Sequence, residues 1–532
     1  MKKYGYLLIV ACFTLVTQAQ SSLNMSLLGS TTYQNDNNDI WGYTDSSGVE
    51  YALVGTTAGV SIVDITASPV QKKQFIQGPY SIWRDLKTWS HYAYVTHDNP
   101  FVWNTAPDQG LLIIDLDSID AVTPRYKAMT AAIPLDTGGY DTLRTAHNLY
   151  IDENGYCYVF GANVGVGGAL IFDLNVDPWN PQYVGMFDEH YFHDGMVRGD
   201  TLWASAVYDG YASIVDVSKK DSTVLMATQI TPSSFTHNTW ISDDNTVLFT
   251  TDERSNAFLA AYDVTDLNNI TELDRIQTSL STDVIPHNAH VYGQWVVTSY
   301  YTSGVQIVDA KFPELLVEVG YYDTSPSFSG NGFNGNWGAY PYFESERIIC
   351  TDIEEGLVVL EPTYVEASRV HISVTDSADQ SLLSNVSIEF SETGLTATTN
   401  LDGVSNVGTH TSGADTVEIN LAGYVSQEIP YDWLSGAFDT LQVALVPVTN
   451  IGSEEWGDKV IEIAPNPSKG AFRLSGMLNG SYTLVELSGR VLEQGTIKDE
   501  RVQLEQVYPQ GNYILIVEDK ETIQRLPIVL LP

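Results

Sequence analysis

"PHNAHVYGQWVVTSYYTSGVQIVDA", residues 286–310, opens on His287-Asn288, passes through a β-rich run at 295–301 and ends in an apolar run closed by Asp309. This three-part order recurs along the chain. The closing run appears as "GVSIVDIT" at 59, "GLLIIDLD" at 110, "GALIFDLN" at 168, "YASIVDVS" at 211, "AFLAAYDVT" at 257, "GVQIVDAK" at 304 and "GLVVLEP" at 356, seven copies in all. Ahead of each lies a second run rich in Val, Ile, Thr and Tyr, such as "EYALVGT", "HYAYVTHD" and "TVLFTTDE", the composition of strands. Ahead of that stands a polar or aromatic anchor: Trp41-Gly42, Trp83-Arg84-Asp85, His147-Asn148, His193-Asp194, His237-Asn238, His287-Asn288 and Trp337-Gly338. The anchors recur every 42 to 64 residues, close to the ~40–50 of a four-stranded propeller blade.

The closing runs are apolar on both faces, as "LLII" and "SIV" illustrate. Blades of a propeller pack sheet against sheet and bury both faces of their middle strands, so this geometry calls for continuous apolar runs. A fourth strand follows most copies, for example "PQYVGMFD" at 181 and "PELLVEVGYY" at 313. It is missing after the seventh copy, and "LNMSLLGSTTY" at 23–33 is expected to supply it and close the ring. Residues 21–362 therefore read as a seven-bladed β-propeller.

If each anchor begins the innermost strand of its blade, all seven meet at one mouth of the central channel. His147, His193, His237 and His287 then face one another, with Trp41, Trp83 and Trp337 completing the ring. Neutral imidazole suits zinc, copper, iron or nickel, so the four histidines are candidate ligands for a divalent metal ion at the propeller axis. Three ligands with one open position would also activate a water. His and Asn adjacent on a strand point to opposite sides, so one member of each pair is expected to face the axis. Trp41, Trp83, Arg84, Asp85 and Trp337 are candidate ligand-binding residues, since indole stacks on a sugar or aromatic ligand, although indoles between blades also serve as packing. Arg84 and Asp85 are expected to pair. The run-closing Asp64, Asp115, Asp173, Asp216, Asp263 and Asp309 repeat too regularly for one site and are expected to form turns.

Lys and Arg number 25 against 66 Asp and Glu, a formal charge of −41. Nucleic acid is therefore not expected as a partner, because phosphate binding needs clustered cations. Residues 1–20, "MKKYGYLLIVACFTLVTQAQ", pair a basic start with a short apolar core and small residues, the pattern of an export signal. No later segment reaches the roughly 20 apolar residues of a transmembrane helix. Cys157 and Cys350 sit in apolar runs and are expected to be buried free thiols. No G-x-S-x-G, H-E-x-x-H or phosphate-binding glycine loop was found.

"NDIWGY", "SIWRDLK", "AHNLYIDENGYCYVFG", "YFHDGMV", "FTHNTWISDD" and "SERIICTDIEEGLVVL" closely resemble the LVIVD-repeat propellers called choice-of-anchor B proteins, over roughly residues 23–361. The resemblance implies an exported bacterial propeller whose surface anchor varies between members; it implies no catalytic activity. Residues 363–448, with "RVHISVTDSADQSLLSNVSIEF" and a turn at 400–403, read as a small β-sandwich that resembles a carboxypeptidase regulatory-like (transthyretin-like) domain. Asp402 is expected to serve that turn rather than calcium, which wants six to eight oxygens. After a linker at 449–459, residues 460–532 carry Pro465-Asn466-Pro467, Ser488-Gly489-Arg490 and Gly511-Asn512-Tyr513. These resemble the type A C-terminal sorting domain of type IX secretion, which implies that the secretion machinery is a partner and that the protein reaches the outer cell surface or medium.

The fold expected is all-β, a seven-bladed propeller followed by two small β-sandwich domains. The function expected is that of an exported binding or interaction module, with a glycan or surface protein as partner. A metal-dependent hydrolase or redox enzyme built on the histidine ring is the alternative, and a structural surface-layer component a third.

Overall fold

The computed structural model describes residues 20–98, 110–135, 138–448, 461–487, 489–520 and 523–531. The expected export signal, save its last residue, and the expected linker at 449–459 lie outside the described residues. The described residues form two compact units, one within residues 20–369 with 408–412 and 434–437, the other within residues 370–407, 413–433 and 438–531.

The first unit carries seven four-stranded antiparallel blades. Blade 1 is typical. Its strands Asn37–Thr44, Glu50–Thr56, Gly59–Asp64 and Gln71–Gln77 follow one another from the axis outward. The two middle strands are buried at every residue, whereas the outermost is mostly exposed. That is why the middle runs read as continuous apolar stretches and the outer ones do not: the outermost strand of blade 4, Val224–Ile230, alternates between exposed and half-buried positions. The innermost strands of blades 2 to 7 begin at Leu86, Asn148, Asp194, Thr236, Ala289 and Asn336. An additional hairpin, Ala131–Pro134 with Tyr140–Leu143, lies between blades 2 and 3.

Ring closure uses the N-terminal segment in two blades. Met25–Thr31 forms the outermost strand of blade 7, pairing Met25 with Pro362 and Thr31 with Leu357. Just before it, Ser22–Leu23 pairs with Tyr321 and Tyr322 as a fifth strand of blade 6. The same short stretch thus ties two neighbouring blades.

The run-closing acids behave alike. Asp64, Asp115, Asp173, Asp216, Asp263 and Asp309 each accept a hydrogen bond from the backbone N–H two residues on, at 2.8 to 3.2 Å. Each ends a strand by mimicking a backbone turn. Cys157 and Cys350 are buried free thiols.

In the second unit, the sheet Val404–Thr409, Ser368–Asp376, Phe438–Leu445 faces the sheet Thr396–Thr398, Ser387–Phe390, Gly413–Asn420, Gln427–Trp433 across a core containing Ile372, Ile388, Phe390, Val417 and Trp433. Asn400 Oδ1 accepts from the N–H groups of Asp402 and Val404, so residues 400–403 form a plain side-chain-braced turn. The C-terminal sandwich is one seven-stranded sheet doubled over itself. Ser468, just beyond its first strand, bridges to Leu530 in its last, and Phe472, Leu484, Leu515 and Ile528 share the enclosed core. Ile523–Leu530 can include Pro527 because it is an edge strand of that order.

Candidate functional site at the channel mouth

Strand pairing fixes which residues of the seven blades are equivalent. Asn238 pairs with Thr251, Gly338 with Thr351 and Asp194 with Ser205, while Ile40 pairs with Val54 beyond a bulge. Following these registers, the first tier of the inner strands is Asn38, Arg84, His147, His193, His237, His287 and Trp337. The tier below is Asp39, Asp85, Asn148, Asp194, Asn238, Asn288 and Gly338. Two residues further on come Trp41, Lys87, Tyr150, Met196, Trp240, His290 and Tyr340.

All four predicted histidines line one cavity of about 20 Å³, together with Trp83, Arg84, Asp85 and Trp337. Space of that size admits one ion or one water. Successive imidazole centroids, His147 to His193 to His237 to His287, lie 4.1, 4.3 and 4.3 Å apart. Trp337 follows at 5.0 Å and Trp83 precedes at 6.0 Å. The row is flanked by indoles at both ends.

Three expectations need correction. Trp41 does not join the ring: it lies in the third level, two below the histidines, its ring 4.9 Å from Tyr340 and 6.1 Å from His290, because Asn38-Asp39 occupy the anchor position of blade 1. Arg84 and Asp85 do not pair. Arg84 donates to the carbonyls of Thr56 and Pro79, while Asp85 takes Lys87 at 2.7 Å. Both His147 and Asn148, and both His287 and Asn288, reach the cavity. The histidines stand at or just before the first regular ladder residue, and blades 1, 5 and 7 bulge there, so strict alternation has not begun.

Neighbouring blades hold the first tier in place. Thr96 donates its hydroxyl to the His147 carbonyl at 3.0 Å, Thr251 to that of His287 at 2.5 Å and Ser299 to that of Trp337 at 2.9 Å. These three hydroxyls occupy equivalent positions, each bracing the next blade. His287 Nδ1 lies 2.6 Å from the Trp337 carbonyl. A carbonyl only accepts, so Nδ1 carries the proton and Nε2 presents a bare lone pair. Burial, reinforced by the imidazole of His237, holds His287 well below the usual histidine range. Burial and the three neighbouring imidazoles do the same to His193.

Two carboxylates absent from the predicted site complete it. Asp98 Oδ2 lies 3.0 Å from His147 Nδ1. Glu253 Oε1 lies 3.9 Å from His237 Nε2 and 3.9 Å from His287 Nε2, and accepts the Tyr301 hydroxyl at 2.6 Å. Asp98 and Glu253 follow equivalent ends of the second strands of blades 2 and 5. The signal is present in the sequence as "THD" and "TDE", but only once those words are aligned blade to blade.

Beneath the histidines, Lys87 is buried with its ammonium 2.7 Å from Asp85, 4.0 Å from Asp39 and 4.4 Å above the Trp41 ring. Asn238 donates to Asp194 at 2.8 Å. Burial, then repulsion from Asp85, holds Asp39 well above the usual carboxylate range, and the same two causes raise Asp194. Burial pulls Lys87 down, but Asp85 and Asp39 outweigh it and leave it above the usual lysine value. Arg84 is only 2 % exposed, its Nη1 has no partner, and burial lowers it to about 10.

No family model and no curated protein matches the chain. Among solved structures it is similar to the β-propeller domain of Cps50 (Swd1) from Myceliophteria thermophila, at 11% identity and a TM-score of 0.43, over 64% of this chain and 100% of that one.

Proposed function

We infer that the protein is an exported propeller that works as a binding module, taking its ligand at the histidine-lined mouth of the channel. The observation that carries this reading is the convergence of four imidazoles and two indoles on one cavity, with Trp83 and Trp337 half-buried at its ends. Half-buried indoles offer a stacking face for a glycan or an aromatic side chain of a surface protein. Delivery by type IX secretion through residues 460–532 is supported by the sorting-domain motifs, and export by the signal-like residues 1–20. Among the described residues no helix is long and apolar enough to cross a membrane.

A glycan and surface-protein array probed with the full-length protein tests the binding role. The expected result is a saturable ligand lost in Trp83→Ala and Trp337→Ala; binding unchanged in both variants would move the ligand away from this mouth. Metal-dependent catalysis is the second reading, and the placement of Glu253 between two imidazoles is what favours it.

A further inference from the structure

We propose that His237 Nε2, His287 Nε2 and Glu253 Oε1 form a three-ligand site for one divalent transition-metal ion, with an open coordination position facing the cavity that the two histidines line. This rests on the channel mouth being the ligand-binding face. It departs from a symmetrical ring of four imidazoles.

The three atoms all lie within 4.8 Å of one another. Ligand atoms bound tetrahedrally at about 2.1 Å stand about 3.4 Å apart, so the two 3.9 Å separations need to close by about half an ångström, a small side-chain adjustment. At 3.9 Å Glu253 hydrogen-bonds neither imidazole. His237 is 3 % exposed and its Nδ1 has no hydrogen-bond partner, so no bond at Nδ1 prevents that nitrogen from carrying the proton and leaving Nε2 bare for a metal.

The surroundings fit ligation. The Trp337 carbonyl fixes His287 with Nε2 bare, and the Tyr301 hydroxyl orients Glu253 through the same oxygen that approaches the imidazoles. Such outer partners set the tautomer and direction of metal ligands. Tyr301 itself is 1 % exposed and packs edge-on against His287, with ring centroids 5.0 Å apart. His147, at the other end of the row, is engaged by Asp98 instead. Two imidazoles with one carboxylate suit zinc or ferrous iron, whereas calcium and magnesium want oxygen ligands. With three protein ligands, the remaining position takes water or an oxygen or nitrogen atom of the bound partner.

Titration of the chelator-stripped, full-length protein with Co(II), followed by visible absorption and calorimetry, tests the site. The expected result is one Co(II) per chain with ligand-field bands. Glu253→Gln and His237→Ala should each weaken binding at least about 100-fold, Tyr301→Phe about 10-fold, and His147→Ala hardly at all. Circular dichroism melts identify any variant that fails to fold, and Tyr301→Phe, which keeps all three ligands, then carries the comparison. Absence of Co(II) binding by the parent protein would overturn the site, as would wild-type affinity in Glu253→Gln or a loss in His147→Ala equal to that in His237→Ala. If metal fails while a ligand still binds the stripped protein in a Trp83-dependent way, the metal site falls and the binding module stands.

Discussion

Replacing Lys87 with methionine removes the ammonium that neutralises the acid tier under the histidines. The side chain lies 2.7 Å from Asp85 and 4.0 Å from Asp39, and all three side chains are less than a tenth exposed. Breaking a buried pair by deleting one partner costs about 3–5 kcal/mol, because the orphaned carboxylates stay desolvated. A propeller of about 340 residues unfolds with an entropy near 0.7 kcal/mol per kelvin, so the loss corresponds to about 4–7 °C in Tm. Loss of the contact with the Trp41 ring adds to it. The deficit depends on pH with a definite sign. Asp39 and Asp194 already have raised folded-state pKa values, and without Lys87 they rise further. A carboxyl raised above its unfolded value contributes stability below that unfolded value and loses it as pH rises through the folded one, so Lys87→Met should be nearly normal near pH 4 and progressively weaker toward neutrality. Adding Asp39→Asn and Asp85→Asn should restore most of the stability at neutral pH. Differential scanning calorimetry from pH 4 to 8 checks this. A Lys87→Met protein whose Tm matches the parent's throughout would refute the reasoning that the tier is charged and dry.

Other consequences concern the ring, the sandwich and delivery. Deleting residues 20–33 removes six paired positions on blade 7 and two on blade 6; at about 1 kcal/mol per ladder bond the loss exceeds about 5 kcal/mol, and the bared edge at Gly356–Pro362 should promote aggregation, read by thermal melts and light scattering. In the second unit, burial pushes the Asp415 carboxyl up, but hydrogen bonds from Glu392, Trp433, Thr416 and Thr393 outweigh it and bring it down to about 2. A depressed carboxyl contributes stability above its unfolded value near 3.9 and loses it as pH falls toward 2. Asp415→Ala should therefore cost about 2–4 kcal/mol at pH 7, with the Trp433 indole N–H left unpaired, and should flatten the acid limb of the stability curve. Deletion of residues 460–532 should leave the protein inside the outer membrane; surface exposure of the truncated chain, measured by protease shaving, would refute type IX delivery.

The blades were legible because burial on both faces leaves an unambiguous trace: "GLLIID" and "GALIFD" can only be middle strands when seven such runs share one period. The closing strand was legible as a missing fourth run. The histidines were legible because they precede the same pattern in four blades. Trp41 misled because an indole is conspicuous, while the true anchor of blade 1, Asn38-Asp39, is hidden in the polar run "NDNNDIW". Trp83 lies one residue before its tier yet still reaches the cavity. Glu253 and Asp98 depend on how the end of a second strand meets the next blade, which a single chain reading does not supply. The bond between Asn238 and Asp194, 44 residues apart, and the approach of Lys87 to Asp39 arise only when neighbouring blades pack together.

Anomalous diffraction from crystals of the protein grown with zinc, with data collected on both sides of the zinc edge, tests the central claim most directly. The account predicts a peak about 2.0–2.2 Å from His237 Nε2, His287 Nε2 and Glu253 Oε1. A peak shared equally by His147, His193, His237 and His287, or zinc only at the group His91, Asp115 and Asp117, would contradict it.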